Sequence, residues 1–248
     1  MMKKILACVL TLALVLSFAA CGQPTNIRGD ITPNPSTDAT TEATTEATTE
    51  ATTEATTEAT TEATTEATTE PEFAIGTSAG GTYKNEFIGI QCTLDSNWTF
   101  MTDDEIRAQN EATLGLVGDG YKDAIANAAV VYDMMATHVN GMDTISVVME
   151  KLNVATLLIT EEQYLNLSKD GAVGSLQSMG FTIDSAEVVK LQFAGAEHYA
   201  LNITGSFSGV PIYETLVAMK CNGYVVAITV ATWIENTCAD VLNQFQPC

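Results

Sequence analysis

The sequence feature that most constrains this chain is an uninterrupted run of eight ATTE tetrapeptides over residues 39–70. The run contains no side chain larger than threonine that could pack, so nothing offsets the conformational entropy that folding would cost. Paired β-branched threonines and like charges at every fourth position also oppose a helix. We therefore predict that residues 21–79 form a disordered linker and that only the segment after it folds.

The charge of this linker favours a spacer. Residues 22–72 hold eleven acidic residues and one basic residue, a net charge of −10. Self-repulsion extends such a chain, which could span at most ~170 Å when fully stretched. The whole chain has a formal net charge of −21, so it lacks the basic surface that would neutralise phosphates. Nucleic acid is therefore excluded as a partner.

The N-terminus has the pattern of a secretory signal peptide. Two lysines at positions 3 and 4 precede an apolar run from Ile5 to Ala20. That run is shorter than the roughly twenty residues of a typical spanning helix, and it ends in small residues, as signal peptides do. We predict that residues 1–20 are a signal peptide. A retained membrane helix is the less favoured alternative.

The stretch LSFAACG at residues 16–22 resembles the lipobox of bacterial lipoproteins, with Phe18 at a position where that pattern prefers leucine. In that family a diacylglyceryl group is attached to the cysteine thiol, and cleavage makes this cysteine the first residue. The resemblance implies lipidation at Cys21 and a location on the outer face of the bacterial cytoplasmic membrane. The alternative is an ordinary cleaved signal peptide in which Cys21 is incidental.

Residues 80–248 are expected to form one folded domain. Capping boxes at 102–105 and 160–163 predict two helix starts, and Asn-Gly pairs at 140–141 and 222–223 predict hairpin turns. A strand within 81–94 and a helix at about 235–245 are expected at the two ends, with further strands at 129–139, 144–152, 181–193, 197–206, 212–221 and 224–233. Strands joined by tight turns are antiparallel, so we predict an α+β fold with helices packed on a largely antiparallel sheet.

The order of these elements resembles that of the PsbP-like α/β/α sandwich, a fold shared by a photosystem extrinsic protein and many bacterial lipoproteins. The order runs from an opening strand, YKNEFIGIQCTL, through the segment NWTF and a capped helix. A hairpin, a second helix, a strand meander and a final helix follow. This family carries no shared catalytic set, so the resemblance implies a fold and transfers no site residue.

Motifs for metal, cofactor or nucleophile chemistry are absent from the sequence. The two histidines, His138 and His198, lie in separate strand-like segments, and no zinc or phosphate-binding spacing surrounds them. No catalytic serine motif occurs either. We predict no metal and no cofactor.

Four cysteines lie in the folded part, an even number that permits two disulfides in an exported domain. The lengths of the last strand and the last helix bring Cys248 back towards Cys221 and leave Cys238 far from it. We therefore expect the pairs Cys221–Cys248 and Cys92–Cys238. The alternative is that all four thiols stay reduced.

Two functions follow from these observations. The first is a non-catalytic module, displayed on the stalk, that binds a ligand or an envelope or surface protein. The alternative is a surface hydrolase of cell-wall or extracellular polymers, in which paired carboxylates do acid and base work, with Asp133 or Glu150 as a candidate member of the pair. That chemistry requires two carboxylates ~5–9.5 Å apart in one pocket.

Overall fold

The computed structural model describes residues 72–115, 121–154 and 156–248. The predicted signal peptide, the proposed lipidation site at Cys21 and the ATTE repeats lie outside the described residues. Within the described part of the chain, no helix has both the length and the apolar character needed to cross a membrane.

Eleven strands are found among the described residues. They are β1 (Thr77–Ala79), β2 (Thr82–Asn85), β3 (Ile90–Thr93), β4 (Trp98–Phe100), β5 (Val130–His138), β6 (Thr144–Lys151), β7 (Phe181–Phe193), β8 (Ala196–Phe207), β9 (Val210–Cys221), β10 (Tyr224–Trp233) and β11 (Phe245–Pro247). The main sheet has seven strands in the order β4-β5-β6-β10-β9-β8-β7, and the small sheet has four in the order β1-β2-β3-β11. All their pairings are antiparallel. The predicted α+β fold class is therefore confirmed.

Four helices accompany the sheets in the described residues: α1 (Asp103–Leu114), α2 (Tyr121–Asn127), α3 (Glu161–Ser178) and α4 (Cys238–Leu242). Both predicted capping boxes are present. The hydroxyl of Thr102 accepts from the backbone N–H of Glu105, and Thr160 does the same for Gln163. Each side chain at the third position accepts in return from the backbone N–H of the threonine, so the starts of α1 and α3 are fixed locally.

Strand alternation divides the core into two layers on opposite faces of the main sheet. The inner face packs against the small sheet, α2 and α4, and the outer face packs against α1 and α3. Strand β10 is buried along its whole length. Its inner-face residues are Val226, Ile228 and Val230, and its outer-face residues include Val225, Ala227 and Ala231.

The predicted helix over 235–245 is wrong at its end. Helix α4 stops at Leu242, and the chain then forms β11, in which Phe245 lies opposite Cys92 of β3. Phe245 is buried against Phe193, with ring centroids 5.3 Å apart. Strand β3 has β2 on one side only, so its free edge takes three more residues of chain into the ladder.

The opening segment also differs from the prediction. The expected single strand within 81–94 is a hairpin, because the chain turns between Asn85 and Ile90, where the N–H of Gly89 donates to the carbonyl of Asn85 at 2.9 Å. Residues 73 and 75, which precede this hairpin, contribute a phenylalanine and an isoleucine that pack against the inner core. Helix α2 lacks a sequence signal and was not predicted.

Candidate functional site

Asp133, one of the two candidate catalytic acids, is held by the small-sheet side of the molecule. Its carboxylate accepts from the Tyr83 hydroxyl, from Asn85 Nδ2 at 2.8 Å and from the backbone N–H of Gly76 at 2.6 Å. Burial raises the pKa of Asp133, and these three donors act in the opposite direction. The side chain is 3 % exposed, so its geometry is that of a structural link between β5 and the segment around β2.

Glu150, the second candidate acid, lies on the other face of the main sheet. It accepts from the hydroxyl of Tyr164 in α3 at 2.7 Å. Burial raises its pKa, and the hydrogen bond from Tyr164 opposes this shift. Because Asp133 faces the small sheet and Glu150 faces α3, the structure does not bring the two carboxylates together. The geometry of a paired-carboxylate hydrolase is absent at these residues.

A groove of about 370 Å³ lies between α4 and the inner face of strands β7 to β9. This volume falls in the range of small-molecule sites. Its floor is formed from side chains at alternating positions of the strands, and its wall comes from α4 and the residues beside it. The lining residues are Val189, Lys190, Leu191, Gln192, Asn202, Ile203, Thr204, Tyr213, Glu214, Thr215, Asn236, Cys238, Ala239, Leu242 and Asn243.

The polar floor of this groove is ordered by hydrogen bonds between strands. Asn202 and Thr215 are direct partners across β8 and β9, and the Thr215 hydroxyl donates to Asn202 Oδ1 at 2.9 Å. That bond fixes the amide orientation, with the Nδ2 group as the remaining donor. The hydroxyls of Thr204 and Ser185 lie 2.8 Å apart. The floor is therefore a preorganised set of neutral donors and acceptors.

The cysteine in the groove wall is not a reactive nucleophile. The Cys238 sulfur lies 3.4 Å from the carbonyl of Tyr213, 3.5 Å from that of Val230 and 3.4 Å from the Thr232 hydroxyl. Burial raises the pKa of this thiol. A buried thiol with a raised pKa carries little thiolate at neutral pH.

A larger cleft of about 720 Å³ lies beside Phe73, Ile75, Tyr121 and Ile125. Its lining residues are neighbours in the sequence of residue 71 and residues 116–120, which are outside the described ranges. We therefore assign the candidate site to the α4 groove, whose lining is described throughout.

The two histidines have separate structural contacts. His138 packs edge-on against Trp98 with ring centroids 5.1 Å apart. His198 Nδ1 lies 3.0 Å from Glu161 Oε1, and Glu161 also accepts from the backbone N–H groups of Tyr199 and Lys220. Burial raises the pKa of Glu161, but these hydrogen bonds together lower it overall. Among the described residues, no three His, Cys, Asp or Glu side chains are grouped so that they could hold a metal.

All four cysteines of the folded part are free thiols in the structure. Cys92 and Cys238 are buried, whereas Cys221 is half-buried and Cys248 is exposed. The two disulfide pairs expected from the sequence stay predictions.

Sequence reasoning missed the groove. A signal for it was present, since Asn202 and Thr204 alternate with the buried residues Leu201 and Ile203 along β8. In β9, Tyr213 and Thr215 alternate in the same way with Ile212 and Leu216. This alternation distinguishes a polar face from an apolar one, but it does not reveal that α4 rises beside the polar face to form a wall.

Comparison with known proteins gives a distant structural likeness. No family model matches the chain, and no curated protein matches it. Among solved structures it is similar to LpqN, described as involved in cell envelope biogenesis of Mycobacterium tuberculosis. The identity is 14 % and the TM-score 0.38, over 63 % of this chain and 82 % of that one. A TM-score this low does not establish a shared function.

Proposed function

We propose that this chain is an envelope lipoprotein that displays a non-catalytic ligand-binding domain. In this proposal residues 1–20 are removed, the lipid on Cys21 holds the chain at the outer face of the cytoplasmic membrane, and residues 22–71 are the tether. Residues 72–79, which were expected to belong to the linker, include β1 and side chains packed on the inner core, so they belong to the domain that binds its ligand in the α4 groove. The composition of the N-terminal segment and of the repeats supports the anchor and the tether.

The observation that carries the binding function is the neutral, hydrogen-bonding floor of the groove. Asn202, Thr204 and Thr215 present amide and hydroxyl groups, and Tyr213 adds an aromatic side chain. Glu214 lies between Tyr213 and Thr215 in β9, two residues away from Ile212 and Leu216 of the outer core. Because side chains alternate along a strand, the Glu214 side chain points to the outer face and away from the groove. A hydrolytic acid pair is therefore missing from the floor.

The same floor indicates the chemistry of the ligand. The one lysine beside the groove, Lys190, forms an ion pair with Glu197 at 2.6 Å. A charged ligand would lose its hydrating water and find only amide and hydroxyl groups in the floor, without an opposite charge, which is costly. A neutral ligand rich in hydroxyl and amide groups would instead exchange its hydrogen bonds with water for hydrogen bonds with the floor.

The binding proposal is tested with a neutral probe that carries both kinds of group, the N-acetylglucosamine trimer, added to the full chain. Saturation-transfer NMR should show transfer to the trimer from the native protein and loss of that transfer in Thr215→Val, which removes the donor that orients Asn202. The matched control is Thr182→Val, an exposed threonine of β7 outside the groove. Absence of transfer in the native protein, or equal transfer in Thr215→Val, would contradict the proposal.

The anchor is tested separately by growing cells with a labelled fatty acid. The native chain should incorporate the label and fractionate with membranes. The Cys21→Ser chain should do neither. Unchanged labelling of the serine variant would refute lipidation at Cys21 and leave the binding proposal untouched.

A further inference from the structure

Two of the four free thiols converge on one turn of the small sheet. This turn, which we name the β2–β3 turn, comprises residues 85–89. Cys221 at the end of β9 and Cys248 after β11 are 27 positions apart in the sequence. Each of their sulfur atoms nevertheless contacts a backbone carbonyl of this turn.

Cys221 reaches the turn from the main sheet. Its sulfur lies 3.7 Å from the carbonyl oxygen of Phe87, and the Asn222 side-chain amide donates to the same oxygen. Tyr224 on the other arm of this hairpin packs edge-on against Phe87, with ring centroids 5.6 Å apart. The hairpin tip and the turn are thus packed firmly together.

Cys248 reaches the same turn from the small sheet. Its backbone N–H donates to the carbonyl of Gly89 at 3.1 Å, and its sulfur lies 3.6 Å from the carbonyl of Asn85. The Gly89 N–H in turn donates to the Asn85 carbonyl at 2.9 Å. The carbonyls of Asn85 and Phe87, which the two sulfurs contact, are therefore two residues apart within one closed turn.

We propose that Cys221 and Cys248 form a disulfide that fastens the C-terminal strand to the β9–β10 hairpin across the β2–β3 turn. Both thiols have solvent access, since Cys248 is exposed and Cys221 is half-buried, as exchange with an external oxidant requires. The other predicted pair lacks these features. Cys92 is buried in β3, and the Cys238 sulfur contacts the main sheet.

The reaction is ordinary thiol–disulfide exchange with a dithiol–disulfide oxidoreductase of the extracytoplasmic space. The Cys248 thiol loses its proton, and the thiolate attacks one sulfur of the oxidant's disulfide. The other oxidant sulfur leaves as a thiolate. The deprotonated Cys221 then attacks the Cys248 sulfur in the mixed disulfide and releases the second oxidant thiolate. Two protons leave the pair, and its two electrons reduce the oxidant to a dithiol.

The cross-link would close a loop of about 28 residues, which constrains the unfolded chain. We expect the oxidised protein to melt about 5–10 °C above the reduced protein. The proposal does not depend on ligand binding in the α4 groove, so the two can fail independently.

The test is a redox titration of the full chain in glutathione buffers, followed by alkylation and peptide mapping by mass spectrometry without reduction. A peptide pair linking Cys221 to Cys248 is expected, 2 Da lighter than the sum of the two reduced peptides. The melting difference between oxidised and reduced protein should vanish in both Cys221→Ser and Cys248→Ser. It should persist in the control Cys92→Ala.

Two outcomes would overturn the proposal. One is that both Cys221 and Cys248 are still alkylated, and so still reduced, in a glutathione buffer oxidising enough to form mixed disulfides with exposed thiols. The other is a link from either residue to Cys92 or Cys238. Because mapping reads the native chain directly, neither outcome depends on whether a serine variant folds.

Discussion

Glu214 gives the sharpest prediction because its carboxyl is buried in an apolar layer without a full set of partners. It is 4 % exposed, and its Oε2 atom has no hydrogen-bond partner. Its direct neighbours across β8 and β10 are Ile203 and Ala231. Burial raises the pKa of Glu214 to about 8 from an ordinary value of 4.5. The folded protein therefore holds this side chain protonated and neutral at pH 7.

The sign of the pH dependence follows from proton binding. Between pH 4.5 and 8 the folded state retains a proton on Glu214 that the unfolded state has lost, so the free energy of unfolding falls as the pH rises. Each pH unit corresponds to about 1.4 kcal/mol, and the whole interval to ~5 kcal/mol. That is a large part of the 5–15 kcal/mol that stabilises a typical domain.

The assay is urea unfolding of the native protein and of Glu214→Gln at pH 5, 6, 7 and 8, followed by tryptophan fluorescence. The amide keeps the shape of the protonated acid and cannot ionise. The difference in unfolding free energy between Glu214→Gln and the native protein should grow in favour of the variant by about 4 kcal/mol from pH 5 to pH 8. The exposed Glu187 of β7 supplies the control, Glu187→Gln, which should follow the native protein.

Taking the variant as the reference removes the contributions of other titrating groups. If the native protein and Glu214→Gln lose or gain stability in parallel from pH 5 to pH 8, Glu214 does not change its ionisation on unfolding. In that case our reading of its burial is wrong.

Two further perturbations test contacts made by strands β7 to β9 of the main sheet. The pKa of Glu161 is lowered in the folded state, so its contribution to stability is present at neutral pH and is lost as the pH falls below 4.5 and through the lowered pKa. Glu161→Gln should therefore lose about 1 kcal/mol at pH 7, after allowance for partial solvent screening, and progressively less as the pH falls below 4.5. At Gly205 a Cβ atom would lie 2.3 Å from the carbonyl oxygen of Thr182, so Gly205→Ala should destabilise the fold by about 3 kcal/mol. The control is Gly174→Ala, in which the added methyl group meets open space and the fold should not be destabilised. The urea midpoint of unfolding measures the effect of each substitution, and equal midpoints for Gly205→Ala and Gly174→Ala would contradict the prediction for Gly205.

The sequence predicted the elements whose signals are local. A capping box is complete within four residues, and the Asn222-Gly223 turn needs only positive φ angles, which the structure shows at 47° and 79°. The polar and apolar alternation of β8 and β9 likewise reports which side chains are buried. These signals need no knowledge of the rest of the chain, and they gave the α+β class and most strands.

Strand β11 shows where local signals fail. Cys238, Val241, Leu242 and Phe245 follow the spacing of one helical face, and all four are in fact buried. The same spacing is satisfied by a short helix followed by a strand. The choice was decided by the free edge of β3, more than 150 residues earlier in the chain, which pairs with Phe245–Pro247. Nothing near residue 245 encodes that edge.

Two buried acids of the main sheet provide a final contrast that sequence reasoning could not draw. Asp133 accepts from three donors, two of which lie about 50 residues earlier in the chain, whereas Glu214 has an unpartnered oxygen. In Asp133→Asn one carboxylate oxygen is replaced by an N–H₂ group, which cannot accept a hydrogen bond. At least one of the three buried donors around this side chain would therefore lose its acceptor. We expect Asp133→Asn to destabilise the fold by about 3 kcal/mol at pH 7, in contrast to the stabilising Glu214→Gln.

The measurement is the difference in urea unfolding free energy at pH 7 between each amide variant and the native protein. The same chemical change, carboxyl to amide, should shift stability in opposite directions at two sites of equal burial. Burial alone would give both variants the same sign, because removing an ionisable group would then always relieve a desolvation cost. A stabilised Asp133→Asn would therefore show that the hydrogen bonds from the three donors do not outweigh the cost of burying the Asp133 carboxyl.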